Sequence, residues 1–189
     1  MTKIAIFVSG NGSNCENIIK HFASSDTITT ALVVSNRPDA YALTRAEKHN
    51  IPTVVISKND FNDETKLDGI LKPYNIDFIV LAGFLLMIPE FLVRKYKRRM
   101  INIHPSLLPK YGGKGMYGHH VHEAVKKAGE TETGITIHWV SPVCDGGEII
   151  NQFRTSINTT DTAENIAEKV HKLEMIHYPE TIEQVIRNL

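Results

Sequence analysis

Three short stretches of the 189-residue chain carry residue types suited to carbonyl or phosphate chemistry. In Asn102-Ile103-His104-Pro105-Ser106, a spacing of two puts the Asn102 amide and the His104 imidazole on one side of an extended chain. An amide N–H stabilises an oxyanion as it forms on a carbonyl, and an imidazole passes a proton to or from a nucleophile or leaving group. In Cys144-Asp145-Gly146-Gly147, a carboxylate brought near His104 would hold the ring and favour its protonated form. In Ser9-Gly10-Asn11-Gly12-Ser13-Asn14, glycine lets a ligand approach the backbone, and a following helix offers unpaired N–H groups to a phosphate. Each stretch also has a plainer reading. Asn102 and His104 fit a polar strand end with the ring bonded to backbone, Asp-Gly-Gly fits an ordinary turn, and Ser13 with Glu16 fits the S-x-x-E capping box.

Other candidates are set aside or left open. The third glycine of a dinucleotide fingerprint would fall on Cys15, and the second strand ends in Ser35-Asn36-Arg37 without a ribose-binding acid, so a nicotinamide cofactor is excluded. His119, His120 and His122 are dense but lack a pattern such as HExxH. They read as solvated imidazoles at a helix start, and no metal is expected. Glu174 stands four residues after Val170 and seven after Ala167, on the apolar stripe of a helix. An inward carboxylate needs a partner, either a buried cation or backbone N–H, or the hydroxyls of a ligand.

The elements that must position these residues follow from the apolar pattern. Ile4–Val8, Thr30–Ser35, Thr53–Ile56, Asp77–Ala82 and Met100–His104 read as continuous apolar strands, with helices at Ala40–His49, Glu64–Leu71 and Glu90–Lys97 and another after the first glycine turn. Such strands separated by helices predict a doubly wound α/β fold with a mostly parallel sheet covered on both faces. After the loop Pro105–Gly118 come a helix at His120–Ala128 and a late antiparallel hairpin, Gly134–Val140 and Glu148–Thr155, joined by Ser141–Gly147. The tail from Thr162 is helical, with Pro179 a kink or a break between two helices.

Composition narrows the classes further. With 42% hydrophobic and 22% charged residues, residues 1–189 fit one globular domain. Twenty-one basic residues balance twenty-one acidic ones, so no global field attracts a nucleic acid. The first apolar run is too short for a signal segment or a membrane span, and Cys15 and Cys144 lie in unrelated contexts, which points to a cytoplasmic protein.

Taken in order along nearly the whole chain, these residues resemble the folate-dependent phosphoribosylglycinamide formyltransferase family. The resemblance rests on SGNGSN after the first strand, Val80-Leu81-Ala82-Gly83-Phe84, the block NIHPSLLPKYGGKGMYG from Asn102 to Gly118, Asp145–Gly147, and Glu174 ahead of Tyr178-Pro179. NIHPSLLP alone is shared by the wider formyltransferase superfamily, whereas the combination is specific. The resemblance implies a Rossmann-like formyltransferase fold. It also implies transfer of the formyl group of 10-formyltetrahydrofolate to the amine of glycinamide ribonucleotide, in purine synthesis. By that resemblance Asn102 and protonated His104 stabilise the tetrahedral oxyanion. Asp145 raises the imidazole pKa and helps relay the proton to the folate nitrogen. Gly12, Ser13, Asn14 and Gly83 bind the ribonucleotide at its phosphate end, and Glu174 binds its ribose. Folate lies along Leu85, Leu86, Met87 and Ile88 and against Asn102, Ser141, Val143, Cys144 and Asp145. The residues before about 101 take the phosphate, and those after it carry the chemistry and the folate.

The chain departs from the family at two places. Many members carry arginines near the position of Glu64 and at that of Leu86, facing the folate end, and Lys66 is the nearest substitute in sequence. The Gly-rich loop Gly112–Gly118 is longer than in some members and is expected to cover the site. A tRNA-directed relative would add a basic RNA-binding domain and a hydrolase an N-terminal regulatory domain. Neither is expected here, and the chain is expected to act as a monomer or homodimer. The alternatives are a 10-formyltetrahydrofolate hydrolase, a transferase with another small acceptor, or a noncatalytic flavodoxin-like module.

Overall fold

The apolar run near the N-terminus becomes strand β1 (Thr2–Val8), buried from Ile4 to Val8 in the computed structural model, which describes residues 1–189. The strands form one seven-stranded sheet in the order β3-β2-β1-β4-β5-β6-β7. The chain divides into two compact units, Met1–Ile101 with Ile182–Leu189, and Asn102–Thr181.

In the first unit β1 pairs in parallel with β2 (Ile28–Ser35) and β4 (Phe78–Leu81), and β2 pairs in parallel with β3 (Thr53–Val55). Strand order reverses on either side of β1, and open α/β sheets bind ligands beyond the strands' carboxyl ends at such a point. The connecting helices are α1 (Ser13–His21), α2 (Tyr41–Lys48), the short α3 (Lys58–Phe61), α4 (Glu64–Leu71) and α5 (Glu90–Lys95). Helix α3 has no counterpart in the sequence reading. One turn carries too little periodicity to see, and it forms because the Ser57 hydroxyl accepts from the Asp60 N–H at 3.1 Å while Phe61 is buried. Phe61 packs edge-on against Phe7 and Phe84, with ring centroids 6.2 and 5.1 Å apart, and so supports the segment after β4.

The capping box does not form. Helix α1 starts at Ser13 with Gly12 in the cap position and no side-chain cap, while Glu16 turns to Lys20 at 3.1 Å, to His49 at 3.3 Å and to Arg45. Lys20, Arg45 and the His49 ring outcompete one backbone N–H for the carboxylate, and they hold its pKa down at about 2.

The second unit begins within β5 (Met100–His104). Strands β6 (Glu132–Trp139) and β7 (Ile149–Ser156) form the expected antiparallel hairpin, with Thr136 opposite Gln152. Helix α6 (His119–Lys127) buries Val121, His122 and Val125, and α7 (Ala163–Arg187) buries Ile166, Val170 and Tyr178. Helix α7 runs through Pro179 without a break. A proline removes one donor from the ladder, but burial of Tyr178 and Thr181 around it holds the helix together.

Gly12 has φ 77°, and a Cβ there would lie 2.4 Å from the Ala42 Cβ. Gly12→Ala is therefore expected to destabilise the protein by about 2–4 kcal/mol, combining a left-handed backbone with overpacking. Urea unfolding measures it, and a loss below about 0.5 kcal/mol would show that the loop adapts.

Candidate active site

The glycine-rich loop of the first unit is held from two sides. Ser9 is buried. Its hydroxyl donates to Asn36 Oδ1 at 2.5 Å and accepts from the Leu85 N–H at 2.9 Å, while its own N–H donates to the Gly83 carbonyl at 3.1 Å. One serine thus ties together the carboxyl ends of β1, β2 and β4. On the other side Arg45 of α2 donates to the Asn11 carbonyl at 2.9 Å and to Asn11 Oδ1 at 3.0 Å, and the Ala42 N–H donates to the Gly10 carbonyl at 3.1 Å. Arg45 does not stand out in the sequence, because nothing local shows that its side chain reaches the loop. Gly12, Ser13 and Asn14 lie where the first helical N–H groups of α1 emerge. Gly83 is exposed at φ 76°, and Leu85 and Met87 are exposed, with Leu86 and Ile88 half-buried. Lys66 is paired with Asp60 at 2.5 Å.

The second unit gathers the groups suited to carbonyl chemistry. Asn102 and His104 leave β5 on one side, and the loop between β6 and β7 brings Asp145 to them with φ 52°, a left-handed conformation that Asp tolerates. His104 Nδ1 lies 3.4 Å from Asp145 Oδ2, with side-chain exposures of 5% and 11%. The His104 Nε2–H donates to the Tyr111 carbonyl at 2.7 Å, which puts a proton on Nε2 because a carbonyl only accepts. The Gly113 N–H donates to Asp145 Oδ2 at 2.9 Å. The start of the glycine-rich loop therefore occupies both groups. Tyr111 is at φ 55°, and a side chain at Gly112 would come within 2.4 Å of Leu108 Cδ2.

His138 on β6 joins this group and was not singled out from the sequence. Its Nδ1–H donates to the Trp139 carbonyl at 2.9 Å, which leaves Nε2 to accept from Asn102 Nδ2 at 3.2 Å and to face Asp145 Oδ1 at 3.7 Å. Its one visible signal is a titratable residue in a strand that is otherwise buried from Thr133 to Ile137. His138 thereby fixes the rotation of the Asn102 amide, whose Nδ2 also lies 3.5 Å from Asp145 Oδ1.

Asp145 pulls the His104 pKa up, as expected from the sequence, and burial opposes it. Burial pushes the imidazole pKa down and outweighs the upward pull of Asp145 and of the Tyr111 carbonyl, with His138 also lowering it and Glu174 raising it. Its Nδ1 faces a carboxylate oxygen at 3.4 Å, a contact that favours a proton on that nitrogen. For Asp145, burial pushes the carboxyl up, but His138, His104 and the Gly113 N–H together bring it below the usual range.

Of the remaining expected residues, Ser141 accepts from the Val143 N–H at 3.2 Å, Val143 is exposed, and Cys144 is exposed with its thiol pushed up by burial and by Asp145. Glu174 is nearly buried on α7, and its carboxylate lies 3.3 Å from His171 Nδ1. His119 and His120 are solvated as expected, but His122 is buried, since α6 turns it inward with Val121 and Val125. No three His, Cys, Asp or Glu side chains stand together to hold a metal ion, and no helix is long and apolar enough to cross a membrane.

Because the Asp145 charge opposes the effect of burial, Asp145→Asn should lower the His104 pKa further. Imidazole nitrogen shifts followed by NMR across pH 4–8 measure it, and a rise on losing the charge would contradict the assignment.

A formyl transferase family model matches residues 2–182. The chain is 39% identical over 183 residues to the chloroplastic phosphoribosylglycinamide formyltransferase of Arabidopsis thaliana, an alignment covering 90% of this chain and 62% of that one. It is 35% identical over 184 residues to the phosphoribosylglycinamide formyltransferase of Haemophilus influenzae, covering 95% and 84%. The solved phosphoribosylglycinamide formyltransferase of Coxiella burnetii superposes with a TM-score of 0.82 at 42% identity, covering 95% of this chain and 84% of that one. With a family model spanning almost every residue and near full-length relatives above 30% identity, the chain belongs to the formyl transferase family.

Proposed function

We propose that this chain transfers the formyl group of 10-formyltetrahydrofolate to the amine of N1-(5-phospho-D-ribosyl)glycinamide, giving the N2-formyl product and tetrahydrofolate in purine synthesis. The convergence of Asn102, His104 and Asp145 in one buried cluster carries this reading. Residues 1–189 act as one formyltransferase domain in the cytoplasm, in keeping with the free thiols of Cys15 and Cys144, as a monomer or homodimer.

The ribonucleotide is held by Gly12, Ser13, Asn14 and Gly83 at its phosphate end and by Glu174 at its ribose. The folate lies against Leu85, Leu86, Met87, Ile88, Ser141, Val143 and Cys144. As the amine attacks the formyl carbon, its lone pair forms the new C–N bond and the carbonyl π pair moves onto oxygen. An Asn102 N–H and the His104 Nε2–H then donate to that oxyanion. For His104 to do so, the Tyr111 carbonyl has to withdraw from Nε2. The developing negative charge raises the proton affinity of the ring, and the proton lost by the attacking amine is held at Nδ1 beside Asp145 until the intermediate collapses. Collapse of the intermediate breaks the bond to the folate nitrogen, which takes up the proton lost by the amine. His138 keeps the Asn102 amide turned for this task.

The first measurement is conversion of 10-formyltetrahydrofolate to tetrahydrofolate, followed by absorbance with and without glycinamide ribonucleotide. Conversion should require the ribonucleotide, and equal conversion without it would make the protein a hydrolase. His104→Ala and Asp145→Asn are each expected to lower turnover by about 100- to 10,000-fold with little change in substrate affinity. Unchanged turnover in both would remove them from the chemistry.

A further inference from the structure

Glu130 takes no part in the chemistry above, yet one residue ties it to the centre of that chemistry. Its Oε1 accepts from the Tyr111 hydroxyl at 2.9 Å and from Lys110 Nζ at 2.8 Å. Tyr111 is also the residue whose carbonyl accepts from the His104 Nε2–H at 2.7 Å. Tyr111 is thus bound twice, through its phenol to a partly exposed carboxylate and through its carbonyl to the buried imidazole.

Tyr111 does not hold this position by its own preference. It has φ 55°, a left-handed backbone that a bulky side chain disfavours, so other contacts must offset the strain. The Ser106 hydroxyl donates to the Lys110 carbonyl at 2.7 Å and fixes the turn up to Lys110, while Gly112 and Gly113 follow on the other side. Between that fixed point and the glycines, the phenol anchors Tyr111. A hydrogen bond to a carboxylate is stronger than one between neutral groups, and the Lys110 ammonium on the same oxygen holds the Glu130 carboxyl below its usual range and so ionised near pH 7. On the transfer reaction given above, the formyl oxygen replaces the Tyr111 carbonyl at Nε2. That exchange of acceptors is near neutral at His104 itself. A flip of the Tyr111–Gly112 peptide alone would turn the Gly112 N–H toward the same donor, so withdrawal of the carbonyl moves the residue as a whole. The contact that opposes the movement is the one between the phenol and Glu130.

We propose that Glu130 is a positioning residue for formyl transfer: through the Tyr111 hydroxyl it keeps the Tyr111 carbonyl on His104 Nε2, and it sets how readily that donor is released to substrate. This rests on the transferase reading. Only the fraction of molecules with Tyr111 withdrawn can engage the formyl oxygen, so Glu130 lowers the apparent affinity for the formyl donor without touching it.

The first test uses the full chain without ligand and follows by NMR how fast the His104 Nε2–H exchanges with water, which reports local opening. Tyr111→Phe removes a single oxygen and Glu130→Ala removes its acceptor, and each should speed exchange about tenfold, the scale of one hydrogen bond to a charged group. Glu130→Gln keeps an acceptor without the charge and should fall between Glu130→Ala and the wild type. The double variant should exchange no faster than the faster single one, since both break the same contact. In steady-state kinetics Glu130→Ala should lower the KM for 10-formyltetrahydrofolate about three- to tenfold and change kcat less than about twofold, whereas a merely structural role would raise KM or lower kcat. Exchange as slow in Tyr111→Phe and Glu130→Ala as in the wild type would overturn the proposal, as would a KM that rises in Glu130→Ala. A wild-type chain that transfers no formyl group would overturn the functional reading, and the exchange rates would still show whether Glu130 holds the Tyr111 carbonyl in place.

Discussion

The second unit is organised around the burial of one imidazole. His104 has 5% of its side chain exposed and still makes two polar contacts, to the Tyr111 carbonyl and to Asp145. Desolvation disfavours its charged form, and Asp145 favours it. Burial prevails in the resting chain. Much of the surrounding geometry serves this balance. Asp145 takes a left-handed backbone to reach the ring, and Gly113 supplies an N–H to the oxygen that faces it. His138 braces Asn102 and the other Asp145 oxygen at once. Replacing any of these groups shifts the others, because in a low-dielectric cluster each hydrogen bond sets the strength of the next.

The first unit meets a different demand, which is to present backbone rather than side chains. Its parallel strands stop at one edge, and Ser9 stitches three of their ends together through its hydroxyl and its own N–H. Arg45 then holds Asn11 from the side of α2. Gly12 fits only because it lacks a Cβ. A loop braced in this way keeps its N–H groups aimed without closing over them, which suits an anion bound by backbone donors.

The sequence made strands, hairpin and triad legible for separate reasons. Continuous apolar runs revealed β1, β2, β4 and β5, and a spacing of two put Asn102 beside His104. Asp145 could be attached to that pair only through the family resemblance, since forty residues separate it from His104 and its turn looks ordinary on its own. What stayed hidden depends on tertiary context. His138 sits in a strand whose pattern reads as core, and only the fold shows which polar atoms it faces. Of the kink or break read at Pro179, the break does not occur, because local propensity cannot weigh the burial of Tyr178 and Thr181 on either side of it. The net direction of the His104 shift was hidden for a similar reason. A neighbouring carboxylate is visible in a motif, while the depth of burial opposing it is not.

The Tyr111 contact explains how a buried donor can remain available. The His104 Nε2–H is satisfied at rest by a carbonyl oxygen carried on a segment that also contains Gly112 and Gly113. On the proposed reaction, the formyl oxygen takes the place of that carbonyl. In the ground state this exchanges one neutral acceptor for another and changes the free energy little. As the tetrahedral intermediate forms, the new acceptor becomes an oxyanion, and a hydrogen bond to a charged partner is about twice as strong as one between neutral groups. The gain therefore arises only in the transition state, where it raises turnover rather than substrate affinity. A His104 left open to water would have to shed a solvent molecule at that step. On the proposed reaction, burial and the Tyr111 carbonyl avoid that cost.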